Sequence, residues 1–204
     1  MAKHKVIFAA AFAVIVFVGS YLFFLEDDKK GVVVFVEAYI NAVKNEDFKT
    51  AYNLNAASQK RSLFVLKGTD SNKDEILKQI YEEQKTIFVS VQNRFVPNAL
   101  WTEKALFIKG MKYKINKVTM GLDVDNPTAF YRKRINAAAD IEAEYNNKET
   151  APVFEGGSIK KTDMIVKMVH SKNIGKTLKS MSGIEDDKWL FKGVAIKYGS
   201  IVYW

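Results

Sequence analysis

Little in this chain can do covalent chemistry. Its 204 residues include two histidines and no cysteine. His4 precedes the first hydrophobic stretch, which leaves His170 as the one imidazole available to the rest as a base or hydrogen-bond donor. His170 keeps a two-residue period with Met164, Val166 and Met168, so it points to the same side at the end of a strand. It is either a base or donor at a pocket mouth or a half-buried terminal histidine, and the second account asks for less.

Asp140 and Asp163 occupy polar positions of alternating segments, where solvated carboxylates belong. Asp123 and Asp125 have the close spacing of an acidic metal loop. They lack the glycine and distal glutamate of a calcium loop, and with Pro127 they read as a turn. Gly156-Gly157 has no capped helix behind it, and a phosphate cradle needs one. Without cysteine there are no thiol nucleophiles, cysteine zinc sites, disulfides or lipobox lipid attachment. No catalytic set, metal or cofactor is therefore expected. Tyr39, Tyr52, Phe88 and Trp101, with His170, form the candidate pocket, although core packing is the commoner use of such aromatics.

The elements that must position these residues begin with Val6 to Leu25, twenty residues without a charge. As a helix they would cross a hydrocarbon core of about 30 Å. Lys3 and Lys5 lie before this run, and Glu26, Asp27 and Asp28 follow it. The flanks predict a signal-anchor in the inner membrane, with residues 1–5 in the cytoplasm and a domain over 31–204 on the periplasmic or extracellular side. Cleavage near Val18-Gly19-Ser20 is the alternative, and it would leave Tyr-Leu-Phe-Phe-Leu exposed. The domain has the length for one core. Lys3 and Lys5 carry two of the net +8 charges. The basic balance suits anionic lipid or an acidic partner. Nucleic acid is not expected, because no compact Lys/Arg block with interleaved aromatics appears.

Val32, Phe35, Val36, Tyr39, Ile40 and Val43 have the spacing of a helix with one buried face. Asp47 is placed to cap a second helix with Phe48, Ala51, Tyr52 and Leu54, which fades by Ser58-Gln59-Lys60. Leu63 to Leu66 reads equally as strand or turn. A third helix opens with a capping box at Asn72 to Glu75 and runs to Pro97. The period then changes to two. Leu106 and Ile108 share one parity, and Met111, Tyr113 and Ile115 share the other. A turn at Leu122 to Thr128 precedes a strand from Tyr131 to Tyr145. Pairing across that turn is expected to set Ile115 against Ile135, Tyr113 against Ala137 and Met111 against Ala139. A strand from Ser158 to His170, a connector over Gly175 to Ser182 and a last strand from Asp187 to Tyr198 follow. The expected fold class is α+β: an N-terminal transmembrane helix, then three helices packed on a curved antiparallel sheet, a cone or roll.

Two stretches carry a resemblance. Phe35-Val36, Ala38-Tyr39-Ile40, Ala42-Val43, the Asn45-Glu46-Asp47-Phe48 break and Ala51-Tyr52-x-Leu54 form one; Asp186-Asp187-Lys188-Trp189-Leu190-Phe191 forms the other. Together they resemble the opening helices and a late strand of nuclear transport factor 2-like domains. The resemblance spans roughly 31–198 and implies a sheet wrapped around a long helix. It departs from the family in the hydrophobic N-terminal run and a long loop near 146–157. Anchored members of that superfamily include periplasmic scaffold subunits of secretion machines and small envelope proteins of unassigned role; soluble ones include enzymes, none of whose catalytic sets is matched here.

The last strand reads as apolar on both faces, with Trp189, Phe191 and Ala195 on one and Leu190, Val194, Ile196 and Tyr198 on the other. Something must cover the second face: the chain's own tail, a second copy or a partner. Trp189, Phe191, Tyr198, Ile201, Tyr203 and Trp204 are thus the candidate interface. The expected function is a non-catalytic, membrane-anchored, extracytoplasmic interaction or assembly module that binds a protein partner or a second copy. The alternative is a ligand-binding or enzymatic cone with His170 near its mouth.

Overall fold

In the computed structural model the described residues are 29–68, 71–90, 101, 110–121, 136–170 and 188–204. Several expected features lie outside them: the run at 6–25, Pro97, Leu106 and Ile108, the turn at 122–128 with Asp123 and Asp125, and the connector at 175–182.

The first helix, α1, covers residues 29–44. Val32, Phe35, Val36, Tyr39, Ile40 and Val43 are buried along one side, as their spacing requires. Glu46 takes a left-handed φ of 56° at the break. Asp47 then caps α2 (Phe48–Leu54), its carboxylate accepting from the Thr50 N–H at 3.1 Å. That bond holds the carboxyl below its usual value of 3.8, so the cap is intact at neutral pH and weakens as pH falls through the lowered value.

The helical region departs from expectation. Helix α2 ends at Asn55, in extended conformation, and a further helix, α3 (Ala56–Lys67), follows at once. The polar run Ser58-Gln59-Lys60 therefore lies inside a helix. Its buried polar side chain Gln59 finds a backbone partner, donating to the Tyr52 carbonyl at 3.2 Å. Val65 and Leu66, undecided from sequence, are also helical. Helix α4 (Lys73–Ser90) buries Ile80, Gln84 and Phe88, and Arg61 on α3 pairs with Glu83 on α4 at 3.0 Å.

The sheet is antiparallel, with strands β1 (Met111–Gly121), β2 (Asn136–Tyr145), β3 (Val153–Phe154), β4 (Gly157–His170), β5 (Trp189–Ile196) and β6 (Val202–Tyr203). Strand β4 is its hub: β2 and β3 pair with it, as do β5 and β6, while β1 pairs with β2. The β3–β4 hairpin turns at Glu155 and Gly156, both with positive φ (49° and 83°), as a two-residue turn between twisted strands needs.

The expected fold class is thus corrected in two respects. Four helices, not three, accompany the sheet among the described residues, because Asn55 divides the second. No helix among the described residues is long and apolar enough to cross a membrane, and residues 6–25 lie outside that set. The α+β class and the antiparallel sheet stand.

The register is also corrected. Ile115 pairs with Ile141, Tyr113 with Ala143 and Met111 with Tyr145, each six residues from the expected partner. Alternation forbids odd shifts because they turn side chains to the wrong face, but it is silent about even ones. Past Asn116 the register slips by one, and Val118 and Met120 meet Ala139 and Ala137. The bulge moves the inward positions of β1 from odd to even numbers, so apolar residues stay on the core side. Ala137, Ala139, Ile141, Ala143 and Tyr145 are buried on β2 and share one core with the stripe of α1. The opposite face is charged: Lys161 meets Glu142 at 2.6 Å, and Lys197 meets Asp140 at 3.2 Å.

One residue ties helices to sheet. Asn55 is 2% exposed. Its Oδ1 accepts from the Ala57 and Ser58 N–H groups at 3.0 and 3.2 Å, capping α3. Its Nδ2 donates to the Tyr39 hydroxyl on α1 at 3.3 Å. Its backbone forms a parallel bridge to Phe191 on β5, and the rings of Tyr39 and Phe191 stack at 4.2 Å and 7°. Asn55→Ala removes a cap and leaves buried groups unpaired, and should cost about 2–4 kcal/mol in urea unfolding. Asn53→Ala, at an exposed position, should stay within about 0.5 kcal/mol.

Candidate functional site

The candidate pocket residues fall into three places. Tyr52, Phe88 and Trp101 gather around Phe48, whose ring lies 5.5, 5.4 and 5.7 Å from theirs; Tyr81 joins at 4.9 Å. Phe88 and Trp101 meet edge to face at 5.2 Å. Such edge-on and tilted rings pack tightly, and here they fill space instead of enclosing it. The Tyr52 hydroxyl shares a 2.9 Å hydrogen bond with Ser62. Tyr39 is drawn apart to Phe191 and Asn55. His170 sits at the end of β4, half-buried, its ring edge-on to Trp189 at 5.0 Å. Geometry therefore does not unite His170 with the other four.

The interior keeps some unpaired polarity. Trp101 Nε1, Gln84 Oε1 and Ser58 Oγ are buried without hydrogen-bond partners among the described residues. Burial also pushes the phenol of Tyr145 well above its usual value and raises that of Tyr113, the latter aided by the charge of Glu37. Both hydroxyls are thus neutral at physiological pH. Among the described residues no group of three or more histidines, aspartates or glutamates is arranged to hold a metal. A shallow, open depression lies between α3 and α4, lined by Leu66 and residues 71–75, where Lys73 Nζ donates to the Leu66 carbonyl at 2.8 Å.

The candidate interface residues also divide. Trp189 and Phe191 are buried in the main core, and Ile201 packs against it. The two apolar faces read from the last strand are resolved by a bulge. Phe191 pairs with Met168 but Gly193 with Lys167, leaving Lys192 as the extra residue. Trp189, Phe191, Val194 and Ile196 therefore all belong with the core. Leu190, on the other side, is covered by Ala56 of α3 and Val169. The chain's own helix provides the cover that the alternation demanded.

Exposed apolar surface remains one step further along. Tyr198 is 68% exposed, Val202 49%, Tyr203 40% and Trp204 45%. Val153 on the neighbouring hairpin is exposed as well. These residues are held in place. Tyr198 to Ser200 form a 3-10 turn, and Ser200 Oγ accepts from the Asp163 N–H at 2.7 Å and donates to the Lys197 carbonyl at 2.7 Å. The Trp204 N–H donates to the Ser158 carbonyl at 3.1 Å. Tyr198 leans on Phe154 at 5.5 Å, and Lys160 Nζ lies 5.1 Å from the Trp204 ring. The sequence singles out Tyr198 and the tail Ile201-Val202-Tyr203-Trp204 but gives no sign of Val153, which the β3–β4 pairing places opposite Ser158.

No family model, curated protein or solved structure matches the chain.

Gly157 shows how closely this surface is fitted, since a Cβ there would lie 2.5 Å from the Tyr203 ring. Gly157→Ala should therefore displace Tyr203 and cost about 1–3 kcal/mol in thermal or urea unfolding. Gly199→Ala, with nothing within 4 Å, should cost far less.

Proposed function

We propose that this chain is a non-catalytic protein-interaction module, built on nuclear transport factor 2-like lines, that docks through the apolar surface of Tyr198, Val202, Tyr203 and Trp204. The observation that carries this reading is the exposure of those side chains on an ordered strand and turn while the core aromatics are consumed in packing. An apolar cluster fixed in position loses little conformational entropy on binding, and aromatic anchors dominate interface energetics. Against an enzymatic cone stands the packing of these side chains: His170 lies edge-on to Trp189 at the end of β4, and Tyr52, Phe88 and Trp101 close around Phe48. The location belongs to the same proposal: the outer side of a cell membrane, as an envelope component. Its support is the sequence alone, an uncharged run at 6–25 with lysines before it and acids after it.

A photoreactive residue in place of Tyr198 or Tyr203, in the full chain in its own cells, should cross-link to a discrete protein species. The same group in place of Lys114, on exposed β1, should not. Equal labelling at all three sites, or none, would end the proposal. His170→Gln should change stability by about 1 kcal/mol and leave the cross-link intact; its loss in a folded protein would favour the enzymatic cone.

A further inference from the structure

We draw no further inference here: the strongest candidate, the exposed apolar patch of Tyr198, Val202, Tyr203 and Trp204 on the 3-10 turn and β6, belongs to the interaction surface already proposed, and nothing in the structure shows what covers it.

Discussion

The buried amide of Asn55 is the point on which the arrangement of helices and sheet depends. A carboxamide can accept at one end and donate at the other, and Asn55 uses both ends. It starts α3 by accepting from two backbone N–H groups and holds the Tyr39 hydroxyl by donating. Its extended backbone lies against Phe191 at the same time. A buried polar group left unpaired costs on the order of 1–3 kcal/mol. Any drift of α1, α3 or β5 relative to the others would break at least one of these bonds, so the three elements are set together.

The bulges have a similar logic. A strand in a half-buried sheet must keep one face apolar, and at Asn116, Lys160 and Lys192 an extra residue enters the strand and the buried positions change parity. The bulge at Lys192 also relocates the question of what covers the last strand. With Val194 and Ile196 turned to the core and Leu190 beneath Ala56, β5 needs nothing from outside. At this end of the sheet the exposed apolar side chains belong to the 3-10 turn and β6, while Val34, Phe64, Ile87 and Val89 are exposed on the helices.

Interior and tail then differ in what they are able to do. Around Phe48 the rings of Tyr52, Tyr81, Phe88 and Trp101 occupy one another's contact surfaces, and dispersion between close-packed rings rewards a filled space. At the tail, aromatic rings stand on rigid backbone with solvent on one side. That is the condition in which apolar area remains to be gained on association.

Much of this was legible in the residues themselves. The stripe of α1, the Asp47 cap, the antiparallel strands and the alternating faces of β2 follow from local chemistry and periodicity, since each is set by neighbours within a few residues. The role of Asn55 was not legible, because an asparagine after a short helix has the same local signature whether it ends a helical region or begins another. The polar residues after it read as a terminus because the burial of Ser58 and Gln59 is decided by how the helices pack and not by their residue type. The β1–β2 register escaped for a related reason: alternation constrains parity, and even shifts are separated only by packing against α1 and by the length of the connection at 122–135. Tyr198, Tyr203 and Trp204 were recognisable as surplus hydrophobics. That they lie along the same strand as the hairpin bearing Val153 was decided by the pairing of β3 and β6 with β4, the second a contact between segments some forty residues apart that no local pattern encodes.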